Sequence, residues 1–282
     1  MNDKVTQSWF FRVMAISGII SILISPVMAA GRWYASTSLQ FSQGNYIFEN
    51  NTTTYYLYGG IRYRTDGWSV FGNIPLIGQN SDQVTNTGGV FFPSRHHQGQ
   101  GNTGGFHHGG MMGGNNIVSN FILGVGDIYL NGEYRLVAED GRVPYVGGTV
   151  KLKIPTASTA NHFGTGKMDY GLGFTFRKRL GGYVTFMDLG FWKIGDPEGI
   201  DYRDIHVFGI GAGKFFSAGR YGAMIYFETY SRLLKELEAN RQVSIGFNYR
   251  VKSGVILSLI GAAGLSNTTP DVSFSTGLEW AL

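Results

Sequence analysis

Four of the six histidines in the chain stand in two adjacent pairs, His96-His97 and His107-His108, in a glycine-rich segment with Met111 and Met112 just beyond. Imidazole suits zinc, copper and nickel, and thioether sulfur suits copper(I). His96, His97, His107 and His108 are therefore the residues expected to hold copper, nickel or zinc, if the segment holds an ion. Adjacent pairs impose no single geometry, unlike histidines at i, i+4 on a helix, so a solvated loop with incidental histidines is the competing reading. No other cofactor is expected. Cysteine is absent, which removes thiolate zinc sites and any disulfide framework.

A second set of reactive side chains is charged and falls at alternate positions. Arg62, Arg64, Arg135, Lys151, Lys153, Arg177 and Arg250 share a face with Asp127, Glu133, Asp169, Asp188, Glu228 and Glu279. Arg62, Glu133, Arg135, Lys151, Asp169, Arg177 and Glu228 are the residues expected to line a bore. With both signs present, ion pairs across a narrow passage are expected rather than a filter of one sign. Tyr34, Tyr56, Tyr58, Tyr129, Tyr145 and Tyr226 fall on the same face. They offer surfaces to planar or apolar solutes, or else fill space and keep a small bore shut. Hydrolytic chemistry has little support. A phospholipase on a barrel wall needs Ser beside His, but His162 is followed by Phe163-Gly164-Thr165, and His206 reads as mid-strand with no serine on its face. No enzyme is expected.

The elements that must carry these residues are strands. Apolar and polar residues alternate over segments of about ten, and each segment breaks at Gly, Asn, Asp or Pro. In the last segment Val272, Phe274, Thr276, Leu278, Trp280 and Leu282 fall opposite Asp271, Ser273, Ser275, Gly277, Glu279 and Ala281. About twelve strands are predicted, starting near Arg32, Thr54, Trp68, Asp127, Val143, Lys167, Tyr183, Asp204, Arg220, Gln242, Gly254 and Asp271. The eighth is rich in glycine and its facing is ambiguous. Connections alternate between short and long, as periplasmic turns and outer loops do in bacterial barrels. The longest, at about 77–119, is the Gly/His-rich segment, placed outside the cell; its composition is not one that folds alone. The fold class is all-β: a closed antiparallel transmembrane β-barrel. Closure follows because an open sheet edge in lipid leaves backbone groups unpaired, at several kcal/mol each.

The composition agrees. Glycine makes up 43 of the 282 residues, aromatics 15% and charged residues 15%, against about 25% charged in ordinary globular domains. The net charge of +4 is spread along the chain, so no nucleic-acid partner is expected. Lys4 and Arg12 precede the apolar run Ala15 to Ile24, and small residues follow up to Ala30. Residues 1–30 therefore read as a cleaved signal peptide and 31–282 as the barrel. The expected location is the outer membrane of a Gram-negative cell. The expected partners are outer-membrane lipid, the barrel-assembly machinery during insertion, and a small-molecule solute.

Three blocks carry a family resemblance. Gly124-Val125-Gly126-Asp127-Ile128-Tyr129-Leu130 with Glu133-Tyr134-Arg135-Leu136 is the first. Lys151-Leu152-Lys153-Ile154-Pro155-Thr156-Ala157-Ser158 is the second, with Ala157 where the family has Gly. Gly164-Thr165-Gly166-Lys167-Met168-Asp169-Tyr170-Gly171 is the third. Over about 120–210 the chain resembles the outer-membrane transporter family named for the MetA pathway of phenol degradation. The resemblance implies an outer-membrane barrel associated with uptake of aromatic or hydrophobic compounds. It also singles out the connection from Pro155 to Gly166 as a tight structure at the barrel mouth, either a gate or a turn.

The expected function is passive passage of small, aromatic or hydrophobic solutes in a porin-like manner. Gly31 lies almost at the first strand, which leaves no place for a plug domain before it. The alternative is a closed structural or binding barrel that displays the His/Met/Gly-rich loop for metal or partner capture.

Overall fold

The computed structural model describes residues 30–47, 51–80, 84–87, 90–93, 121–159, 163–197 and 199–282. Residues 1–29 of the expected signal, the four paired histidines and His162 lie outside the described residues. The strands are β1 (Arg32–Gly44), β2 (Thr52–Arg64), β3 (Trp68–Gln79), β4 (Val84–Thr87), β5 (Val90–Pro93), β6 (Ile122–Val125), β7 (Ile128–Val137) and β8 (Tyr145–Ile154). They continue as β9 (Asp169–Leu180), β10 (Tyr183–Lys193), β11 (Ile205–Phe216), β12 (Tyr221–Tyr230), β13 (Asn240–Lys252), β14 (Val255–Gly264) and β15 (Val272–Ala281).

Sequence neighbours pair antiparallel around the sheet, and β1 pairs with both β2 and β15. The Leu282 N–H donates to the Trp33 carbonyl at 3.0 Å across that seam. β3 pairs with β6 at one end and with β7 at the other, so β6 and β7 are two halves of one stave. The described residues thus form a closed barrel of twelve antiparallel staves. No backbone edge of that sheet is left to face hydrocarbon.

Two expectations are corrected. The long connection does not begin at Ile77: β3 runs on to Gln79, and β4 and β5 form a separate hairpin inside the stretch read as loop. The fourth stave does not begin at Asp127 but at Ile122, and it is interrupted at Gly126-Asp127. The cause lies across the ladder. Pro75 of β3 has no N–H to give. Gly126 donates to the Pro75 carbonyl at 2.8 Å, and Asp127 then turns its side chain elsewhere.

The alternation sorts the side chains onto two faces. Leu39, Leu57, Ile61, Leu76, Val150, Leu172, Phe174, Ile210, Ile225, Ile245 and Phe274 point outward; Leu172 is 62% exposed and Ile245 66%. So continuous an apolar surface would be unfavourable in water. Aromatic rings border it. Trp33, Tyr63 and Trp68 form a chain of contacts at the short-turn end, with centroids 4.9 and 5.4 Å apart. Phe41, Tyr55 and Phe121 do the same at the other end, at 5.4 and 6.0 Å. Trp33 and Phe41 are eight residue steps apart along β1, which at about 3.3 Å rise and about 40° tilt is on the order of 20 Å of height. That matches the apolar band of an outer-membrane barrel, and the chain is one.

The glycine-rich strand is settled by its neighbours. Phe208 and Ile210 of β11 face out, and Gly209, Gly211 and Gly213 face in. A Cβ on Gly211 would lie 2.5 Å from the Phe186 ring, and one on Gly209 would run into Tyr226. The missing side chains are the beds in which those two rings lie.

Candidate functional site

The three sequence blocks meet at one amine. Lys153 on β8 is fully buried, and its Nζ lies 2.8 Å from Asp169 Oδ2, 3.6 Å from Asp127 Oδ2 and 2.8 Å from Thr165 Oγ1. The first block supplies Asp127, the second Lys153, the third Thr165 and Asp169. Asp127 Oδ1 accepts the N–H groups of Thr156 and Ala157 at 3.0 and 2.9 Å. Asp169 Oδ1 accepts the Gly195 N–H at 2.9 Å, from the connection after β10. The Thr156 hydroxyl donates to the Gly126 carbonyl and accepts the Ile128 N–H, both at 3.1 Å. It thereby repairs the ladder on either side of the Asp127 break. Two carboxylates and one ammonium leave water together only where such hydrogen bonds replace hydration.

This network holds the described part of the Pro155 to Met168 connection inside the mouth. Phe163 is 1% exposed and packs with Tyr56 and Ile77, beside Tyr46, Tyr58, Ile122 and Ala157. The fit requires glycine at two points. A Cβ on Gly124 would lie 2.4 Å from the Phe163 ring, and one on Gly164 would lie 2.8 Å from Asp127 Oδ2. A second packed cluster forms nearby from the connections after β10 and β12. Trp192, Ile194, Tyr202, Ile205 and Leu233 bury one another, and the Arg203 N–H donates to the Leu233 carbonyl at 2.8 Å. Burial raises the pKa of the Tyr202 phenol, with Asp169 and Asp196 adding to the shift.

Below Phe163 lies a cavity of about 220 Å³. Tyr56, Tyr58, Tyr129 and Trp192 give it aromatic walls; Asn73, Asn131, Asp127 and Lys151 give it polar ones. A second cavity of about 230 Å³ is bordered by Thr149, Thr175, Asp188, Tyr226, Glu228 and Tyr230. Lys151 and Trp192 border both. The Lys151 ammonium sits 5.0 Å above the Trp192 ring, so the two side chains form a common wall. The carboxylates around it are held by neutral donors. Asp188 accepts from Thr175 Oγ1 and from the Tyr226 hydroxyl at 3.0 Å. Glu228 accepts from the Tyr230 hydroxyl at 2.9 Å and from Gln242 Nε2. A third cavity of about 520 Å³ lies at the short-turn end, among Arg64, Glu133, Arg135, Tyr145, Arg177 and Arg179.

The expected bore residues therefore fall into separate places. Lys151 and Glu228 share the second cavity. Glu133, Arg135 and Arg177 share the third. Arg62 stands apart, 3.1 Å from Glu279 and over the Phe71 ring at 4.5 Å. Asp169 is sealed against Lys153. Phe163 and Trp192 were not singled out from the sequence. The signal for Phe163 was its place before the Gly164-Thr165-Gly166 block; nothing marked Trp192. His206 is the second residue of β11 and not mid-strand. Its ring packs on Phe191 at 5.4 Å, and Ser231 Oγ meets its backbone N–H and not the imidazole. Among the described residues no three His, Asp or Glu side chains gather to hold a metal ion.

No family model matches the chain, and no curated protein matches it. Solved structures do. The COG4313 outer membrane channel from Pseudomonas putida F1 superposes with a TM-score of 0.61 at 12% identity, over 92% of this chain and 100% of that one. The NanC porin superposes with a TM-score of 0.52 at 8% identity, over 88% and 100%. At such identities the likeness is one of fold. It does not confirm the phenol-pathway family name that the three blocks suggested.

Proposed function

We propose that this barrel lets small solutes cross the outer membrane passively, and that aromatic solutes are among them. The observation that carries the reading is the pair of inner cavities walled by Lys151 and Trp192. The upper one has four aromatic side chains below Phe163, and a cavity of about 150 Å³ already accepts benzene. The fold supports it too, since the COG4313 protein is described as a channel. A second reading has its own observation. The mouth connections bury Phe163, Ile194, Tyr202 and Leu233 almost completely, as a permanently closed binding barrel would. That barrel would display His96, His97, His107 and His108 for metal capture.

Planar-bilayer recording separates the two. Passage requires discrete conductance steps, larger in Phe163→Gly, where the mouth loses its plug. Benzyl alcohol should interrupt the current and mannitol should not, and Trp192→Ala should shorten the interruptions. Silence from both the native barrel and Phe163→Gly would rule passage out.

A further inference from the structure

The third cavity differs from the others in where its charges point. Arg64 comes from β2, Arg135 from β7, and Arg177 and Arg179 from β9. Two of its three carboxylates, Glu133 and Glu139, are hydrogen-bonded to other groups and keep their charge. Glu133 accepts the Tyr145 hydroxyl at 2.7 Å. Glu139 lies 3.6 Å from Lys178 Nζ and accepts the Arg179 N–H at 2.8 Å. Asp66 sits in the turn at the rim. Among the described residues, no carboxylate comes within ion-pair distance of Arg64, Arg135 or Arg177.

Two of these guanidiniums are nonetheless placed. Arg177 lies over the Tyr145 ring at 4.3 Å and Arg64 over Tyr34 at 5.3 Å. A ring face holds a cation in position without taking up its N–H donors. The guanidinium fork matches a carboxylate, which accepts two parallel hydrogen bonds from it. Between this cavity and Lys151 the wall is the paired inner rows of β8 and β9. On β8 the inner row from Tyr145 is Gly147, Thr149 and Lys151; on β9 the register partners of Tyr145, Gly147, Thr149 and Lys151 are Arg177, Thr175, Gly173 and Gly171. Tyr145 lies over Gly147 and Trp192 over Gly171, so this stretch of wall runs from the arginines to Lys151 with rings bedded on its glycines.

We propose that Arg64, Arg135 and Arg177 form an anion site at the short-turn end of the bore, and that its ligands are small organic carboxylates. This rests on the passage reading and narrows its substrates. An aromatic carboxylate also suits the ring-lined cavity that Lys151 borders.

Benzoate is the probe, titrated calorimetrically into the purified barrel in excess chloride, beside recording of the reversal potential in a salt gradient. The native barrel should bind benzoate and prefer anions. Arg135→Gln with Arg177→Gln should weaken benzoate by about tenfold or more and move the reversal potential towards cations. Arg135→Lys with Arg177→Lys keeps the charge but not the fork, so anion preference should survive while benzoate affinity falls. This pair also covers a failure of the glutamine variant to fold. Benzoate binding equal in all three proteins, or a native preference for cations, would overturn the site and leave passage standing. Arginine-dependent benzoate binding with no current under any condition would overturn passage and leave the site standing.

Discussion

Lys153 meets three oxygens in a place that water does not reach. The pairing is expensive to assemble and more expensive to break, because removing one partner strands a buried charge. Lys153→Met strands Asp127 and Asp169 together. It should destabilise the barrel by about 3–5 kcal/mol in urea unfolding from lipid vesicles. Adding Asp127→Asn and Asp169→Asn to that variant should recover part of the loss. A single variant as stable as the native chain would show that the network contributes nothing to the fold. At this scale the tight glycines have the same origin as the ion pair. Gly164 exists where a side chain would collide with the Asp127 carboxylate, so the mouth connection seats only without one.

At the scale of elements, the connection between β7 and β8 is tied to β9 through Glu139. The Arg179 backbone N–H is the main cause holding its carboxyl below the ordinary range; burial opposes this, and Lys178 and Arg179 add to the lowering. A carboxyl lower in the folded state stabilises the fold above its unfolded value of about 4.3. That contribution is lost as pH falls through the folded value. The native barrel should therefore have a higher urea midpoint than Glu139→Gln at pH 7, and the two should converge as pH drops well below 4. A gap that stays constant or widens in acid would contradict the ionic tie. The same scale explains β11: a strand whose inner positions are glycine shows no alternation of its own, because Phe186 and Tyr226 from its neighbours fill that face.

For the whole molecule, the short turns and both ends of the described barrel lie on one side. Short turns face the periplasm in bacterial barrels. An epitope inserted at Asp66-Gly67 should therefore bind antibody only after the outer membrane is opened. One inserted after Glu236, between β12 and β13, should bind on intact cells. Labelling of the first site on intact cells would invert the molecule and move the arginine cavity to the cell surface. With the proposed orientation, a solute first meets the Phe163 side and reaches the arginines last.

The sequence by itself determined the strand class, the count of staves, the short turns and the sorting of charge from lipid-facing bulk. Each of these depends on period-two alternation and turn residues, which are local. The C-terminal strand and the Tyr55 to Arg64 segment were legible residue by residue for that reason. What alternation does not contain is the register between strands far apart in the chain. Only the closed sheet brought Asp127, Lys153, Thr165 and Asp169 to one point, although all four were visible in the sequence blocks. Only it showed that the fourth stave breaks opposite Pro75, since a missing N–H matters to the partner strand and not to its own. The expected bore of mixed sign likewise divided on closure. Neutral hydroxyls and amides took Glu133, Asp188 and Glu228, while Arg64, Arg135 and Arg177 from three separate strands were left facing a common space. Charge counts along one chain add up the same way in any fold; which charges meet a charge of opposite sign and which meet only neutral donors is decided by tertiary contact alone.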